Sequence, residues 1–184
     1  MKLPLQKLRQ FSKSRVSWGL LLLSALSLFV TALWFQHYQQ LEPCLLCVYI
    51  RVAVLGVLVS SAIALMMPHY LGARLIGLVG WLISSGFGLR ESLALIEKQA
   101  GTADFGLFGP TCDYIPNFPD WAPLHQWLPQ FFLPNAQCGE DSWLLLGLTM
   151  AQWMAITFIV YLVIALLVLL SQPFRQPAAN LAPR

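Results

Sequence analysis

The sequence predicts an all-α membrane protein, a four-transmembrane-helix bundle with a long loop between helices 3 and 4. Three observations carry that prediction. The 184 residues are 58% hydrophobic and only 10% charged, with a mean hydropathy of +0.66, whereas a soluble domain carries about 25% charged residues to cover its surface. Four apolar runs are each long enough to cross a bilayer, which takes about 20 residues. Charge is also sorted along the chain, acidic residues in one set of connecting segments and most basic residues in the other. This composition excludes a water-soluble enzyme and a disordered chain. A nucleic-acid-binding module is excluded too, because the net charge of +3 comes from few charges rather than a basic surface. Residues 1–184 read as a single integral membrane domain.

The elements follow in chain order. The first span covers about residues 16–35, Val16 to Phe35, without a charge. Its basic lead (Lys2, Lys7, Arg9, Lys13, Arg15) fits the start of a signal peptide. The apolar stretch is longer than the about 7–15 residues of such a peptide, and no clear A-x-A site follows, so a retained helix is expected. The second span, about 48–67, is broken only by Arg51. The third, about 75–96, is clean from Arg74 to Leu89 and continues through Arg90 and Glu91. The fourth covers about 148–170 and is longer if it starts at Trp143, which implies tilt or a start outside the bilayer. The runs are continuous rather than alternating with period two, so they are helices and not barrel strands.

With four spans, both termini share a side with the short turn from Pro68 to Ala73. Eight of the eleven basic residues lie there: Lys2, Lys7, Arg9, Lys13, Arg15, Arg74, Arg175 and Arg184. All eight acidic residues (Glu42, Glu91, Glu97, Asp104, Asp113, Asp120, Glu140, Asp141) fall in the opposite half. Lys and Arg near span ends mark the cytoplasmic side, so both termini are expected there. The outer side then carries the link from Gln36 to Pro43 and the loop of about 98–142. That loop is dense in Pro, Trp and Phe; the prolines forbid a long helix, and a passive aromatic belt at headgroup level accounts for Trp127–Leu133.

All four cysteines, Cys44, Cys47, Cys112 and Cys138, fall in the outer half, on an oxidising side where disulfides persist. Four cysteines allow three connectivities, local pairing being the default. A bridge over two intervening residues constrains little of the unfolded chain, so C-L-L-C at 44–47 is a poor staple. Its spacing suits redox cycling, in which one thiolate attacks and a neighbour resolves. Pro43 precedes the pair and a helix follows, so the helix dipole favours a thiolate there. Cys44, Cys47 and Arg51 share one helix face. For Arg51, a charge inside a span, two readings stand: a side chain that snorkels to the outer interface, or a partner of the Cys47 thiolate or of a bound polar headgroup. Arg90 and Glu91 read as solvated at the interface, and His69 and His125 as solvated rather than catalytic. His37 near the pair does not complete a set of four ligands, so no metal is expected.

The stretch Thr31-Ala32-Leu33-Trp34-Phe35-Gln36-His37, then Pro43-Cys44-Leu45-Leu46-Cys47-Val48-Tyr49 and Arg51, resembles the bacterial disulfide-bond formation protein B (DsbB) family. So does the loop, with Thr111-Cys112-Asp113, Phe118-Pro119-Asp120-Trp121, Pro123-Leu124, Trp127, Pro129 and Cys138. Leu146-Gly147-Leu148, Met150, Gln152-Trp153 and Ser171-Gln172-Pro173-Phe174 follow in order. The resemblance implies a protein-dithiol:quinone oxidoreductase in the bacterial inner membrane that reoxidises a periplasmic DsbA-type thiol oxidase and passes the electrons to ubiquinone or menaquinone. It implies redox-active disulfides Cys44–Cys47 and Cys112–Cys138. The partner's thiol would attack Cys112; Cys138 would then attack Cys44, leaving Cys47 as a thiolate beside the quinone, with Arg51 stabilising the developing anion. The partners so implied are the DsbA-type oxidase, the quinone pool and the lipid bilayer. Arg90 to Gln99 lacks the histidine that family members carry late in the third helix, and Ala151 stands where relatives have proline. Two alternatives belong to other classes: an enzyme of the vitamin K epoxide reductase type, and a membrane scaffold with structural disulfides.

Overall fold

The computed structural model describes residues 14–100, 116, 118, 122–134, 136 and 144–171. Four long helices dominate: α1 (Arg15–Tyr38), α2 (Leu45–Met66), α3 (Leu71–Gln99) and, after the loop, α6 (Met150–Ser171). Each is long and apolar enough to cross a membrane, which is the four-helix class expected. Two single-turn helices, α4 (Leu124–Trp127) and α5 (Pro129–Phe132), and a two-stranded hairpin, β1 (Leu144–Leu145) with β2 (Leu148–Thr149), lie between α3 and α6. Most of the long loop falls outside the described residues.

Helix ends follow local chemistry that hydropathy does not register. Ser14 caps α1 through the Val16 amide at 3.2 Å. Gln40, at φ 56°, turns the chain out of α1, and the Leu41 amide folds back to the Phe35 carbonyl at 3.3 Å. Pro68 follows the last residue of the α2 C-cap, where a helix cannot continue. Leu146 and Gly147 have φ 55° and 78°, so they form the two-residue turn that closes β1 against β2. α6 therefore starts at Met150, and Thr149 and Gln152 cap it reciprocally: Gln152 Oε1 accepts from the Thr149 amide at 3.0 Å, and Thr149 Oγ1 accepts from the Gln152 amide at 3.3 Å.

In lipid, apolar surface gives helices no reason to associate, so close packing of small residues supplies the contact. α2 and α3 meet along such a seam. A Cβ added at Gly77 would lie 2.7 Å from Ala64 Cβ and 2.9 Å from the Ser60 carbonyl oxygen. Gly88 of α3 faces the Phe158 ring of α6. Trp81 meets Trp18 of α1 and Tyr161 of α6 edge-on, with centroids 6.0 and 6.4 Å apart, and the Ser24 and Tyr161 hydroxyls join α1 to α6 at 2.9 Å. Beside these residues lies an apolar crevice of about 230 Å³, at the start of α1 and lined by neither Cys44 nor Cys47. Buried Ser60 and Ser92 return their hydroxyls to their own helix, to Gly56 (2.7 Å) and Gly88 (2.8 Å), which removes the cost of a bare polar group in hydrocarbon at those two positions.

Candidate functional site

The site forms where α1 ends and α2 begins. Pro43 is buried, and Cys44, in extended conformation at φ −77° and ψ 170°, is the N-cap of α2. Its sulfur takes the place a serine hydroxyl would hold, accepting from the Cys47 amide at 3.3 Å. The pair thus sits at the positive end of the helix dipole, as the sequence indicated. Both cysteines stand as thiols, Cys44 buried and Cys47 half-buried. The Cys47 side-chain hydrogen bond first, and burial second, push the Cys44 thiol above its ordinary range. In the reduced pair, Cys44 is therefore the member that keeps its proton at neutral pH.

Two turns into the helix, Arg51 is 8% exposed. Its head group does not snorkel; it is enclosed by oxygen atoms from three places. Arg51 Nη1 donates to Gln36 Oε1 at 2.6 Å and to the Phe131 carbonyl at 3.1 Å, and Nη2 reaches the Ala32 carbonyl at 3.4 Å. All three acceptors are neutral. Among the described residues no carboxylate pairs with Arg51, and the ionisable groups that face it are Cys47 and Cys44. A buried cation held only by neutral oxygens leaves its field directed at the cysteine pair, which favours a sulfur or ligand atom gaining negative charge there.

The segment expected to be a passive aromatic belt closes this site. Trp127, Leu128 and Leu133 do face outward, as a belt would, but Phe132 is only 2% exposed. Pro129 starts α5 with its fixed φ and missing amide hydrogen, and the turn delivers two backbone carbonyls inward: that of Phe131 to Arg51, and that of Gln130 to Gln36 Nε2 at 2.8 Å. Beyond it, Ala136 forms a parallel backbone bridge with Cys44, its amide bonding the Pro43 carbonyl at 3.3 Å. The belt reading thus holds for three side chains and fails for the backbone, because the Phe131 carbonyl serves the buried guanidinium and the Gln130 carbonyl the Gln36 amide that holds it.

Cys112 and Cys138 lie outside the described residues. His37 packs edge-on to Phe131 at 6.4 Å. His125 is half-buried and stacks on Phe118 at 5.8 Å, which in turn meets Tyr49 edge-on; it is packed rather than solvated. His69 and Arg90 are exposed and Glu91 is half-exposed. Gln36, Gln130 and Phe131 were not singled out as site residues from the sequence. Two of them contribute backbone carbonyls, which leave no residue-type signature, and Gln36 stood only within the family-like stretch.

Comparison with known proteins gives consistent results. A family model described as disulfide bond formation protein DsbB matches residues 14–168. A disulfide bond formation protein B of a Shewanella species is 42% identical over 158 residues, covering 86% of this chain and 88% of that protein. The protein of the same name from Shewanella frigidimarina is 42% identical over 166 residues, covering 90% and 96%. That from Haemophilus influenzae is 44% identical over 165 residues, covering 90% and 91%.

Proposed function

The chain belongs to the disulfide bond formation protein B family of multi-pass bacterial inner-membrane proteins, and from that premise we propose that it reoxidises a periplasmic dithiol oxidase of the DsbA type, with a membrane quinone as final acceptor. Both termini are cytoplasmic in this reading, and the cysteine end of the bundle faces the periplasm.

The observation that carries the proposal is the backbone bridge between Cys44 and Ala136. Cys138 follows Ala136 by two residues, and two residues span at most about 7 Å. The covalent chain therefore limits how far Cys138 can lie from the bridged Cys44. The order of exchange is the one the family resemblance implies, and the bridge supports its second step. A partner thiolate attacks Cys112, the Cys112–Cys138 bond breaks, and Cys138 leaves as a thiolate. Cys138 attacks Cys44, the Cys44–Cys47 bond breaks, and Cys47 leaves with the electron pair. The partner's second thiolate attacks the mixed disulfide, so the partner departs oxidised and Cys112 is left reduced. Cys47 is a good leaving group because the α2 dipole and the Arg51 guanidinium both face it.

A strongly oxidising partner can be reoxidised only by a stronger acceptor. A quinone, ubiquinone or menaquinone, supplies two-electron, two-proton chemistry of that kind from within the bilayer. The residues fit such a group: Cys47 lies half-buried in the first turn of α2, and Arg51 offers a buried positive charge that no carboxylate among the described residues neutralises. Arg51 would hold the acceptor's oxygen and Cys47 would face its ring.

Trapping tests the order. With the cysteine set of this protein intact and oxidised, a DsbA-type partner that keeps its attacking cysteine but has its second cysteine replaced by Ser should accumulate as a mixed disulfide on Cys112, identified by peptide mass spectrometry. Accumulation of the partner on Cys47 would reverse the proposed electron path.

A further inference from the structure

We propose that Gln36 is a two-sided positioning residue that joins Arg51 to the chain segment leading into Cys138. This rests on the function proposed above and adds a residue and a coupling to it. The last turns of α1 bring Gln36, half-buried, between Arg51 of α2 and the α5 turn. Its carboxamide is used at both ends: Oε1 accepts from Arg51 Nη1 at 2.6 Å, and Nε2 donates to the Gln130 carbonyl at 2.8 Å. The orientation of the amide follows from chemistry. A guanidinium can only donate and a backbone carbonyl can only accept, so the oxygen must face Arg51 and the nitrogen must face Gln130.

The two bonds close a ring of connections. Arg51 Nη1 also reaches the Phe131 carbonyl, next to Gln130 in the chain. Buried Phe132 anchors the same turn, and four residues later Ala136 is bridged to Cys44. Gln36 therefore acts on two things at once. It fixes the guanidinium that faces Cys47, and it holds the 129–136 segment in register beside Cys44. Docking of the segment and orientation of Arg51 become one event, so the chain leading towards Cys138 is held beside Cys44 while the charge that favours the departing Cys47 thiolate is already in place. Without Gln36, a guanidinium N–H and the Gln130 carbonyl each lose a protein partner, and the segment is held to Arg51 through the Phe131 carbonyl.

Two substitutions separate this role from general destabilisation. Gln36→Met keeps the length of the side chain and loses both hydrogen bonds. Gln36→Glu keeps an acceptor for Arg51, so the buried cation stays satisfied, but cannot donate to Gln130. The first measurement needs neither quinone nor partner. In full-length protein carrying Cys47→Ser and Cys112→Ser, the equilibrium between the Cys44–Cys138 bridge and the free thiols is titrated in glutathione buffers. Both Gln36 variants should weaken the bridge by about tenfold, the size of one hydrogen bond. The second uses a short-chain ubiquinone analogue with the intact cysteine set. Gln36→Met should raise its KM by about fivefold, with a smaller change in kcat, and should add nothing in an Arg51→Ala background, because the effect passes through Arg51. A bridge equilibrium unchanged in both variants overturns the proposal. So does a KM effect of Gln36→Met that is equally large with and without Arg51. If wild type fails to reduce quinone at all, the proposed function fails, and the bridge equilibrium alone decides the role of Gln36.

Discussion

Arg51 and Cys44 show how much a single position can carry. Arg51 is enclosed by Gln36, Phe131 and Ala32, so replacing it removes charge rather than a solvated tail. Arg51→Ala should raise the quinone KM by about tenfold or more, the worth of a charge-assisted hydrogen bond, and leave exchange with the partner much less affected. Lys should restore part of the loss, because it keeps the charge but lacks the planar fork. Unchanged quinone kinetics in Arg51→Ala would remove it from the site. For Cys44 the sign is fixed by a thiol held above its ordinary range: below that raised value the proton stays on, and the nucleophilic thiolate appears only as pH rises through it. In reduced protein at pH near 7, iodoacetamide should therefore modify Cys47 before Cys44, and labelling of Cys44 should rise with pH. Labelling of Cys44 first would contradict the assignment of the retained proton to Cys44. The sequence already placed Cys44, Cys47 and Arg51 on one helix face, since spacing in a helix translates directly into direction. It could not disclose that the acceptors of Arg51 come from residues 15, 19 and 80 positions away, two of them backbone carbonyls.

At the scale of elements, hydropathy located the spans because a helix in hydrocarbon must be apolar over its length. It was silent on where the helices stop, because caps and turns decide that. α1 runs to Tyr38 and α3 to Gln99 on polar residues beyond the apolar runs, and α6 starts at Met150 because Leu146 and Gly147 turn the chain and Thr149 and Gln152 cap it. Thr149→Ala should lower stability in detergent by about 1 kcal/mol, read as a shift in the unfolding midpoint by circular dichroism; no shift would mean that the cap contributes nothing. The α2–α3 seam was likewise hidden, since single glycines do not announce which neighbour they face. At Gly77 any side chain meets Ala64 and Ser60, so Gly77→Leu should separate the helices and cost about 1–3 kcal/mol. A midpoint equal to that of wild type would show that the seam yields at no cost.

On the scale of the whole molecule, the account joins a four-helix bundle to a relay that begins outside the membrane and ends at its outer edge. The distribution of Lys and Arg makes the topology testable: in intact cells a membrane-impermeant thiol reagent should reach reduced Cys112, and it should not reach a cysteine introduced by Gln10→Cys. The number of helices and the family resemblance were legible because both are written in strings of neighbouring residues. The docking of the 129–136 segment over the cysteine pair was not, because it depends on contacts between distant parts of the chain. The central claim is that dithiol oxidation and quinone reduction are one reaction on this protein. Its most direct measurement mixes purified protein, a reduced DsbA-type partner and a ubiquinone analogue, following quinone absorbance and partner thiols together. The account predicts one quinone reduced for each partner disulfide formed, and neither change with Cys44→Ser. Partner oxidation without quinone reduction, or quinone reduction that survives loss of Cys44, would contradict it.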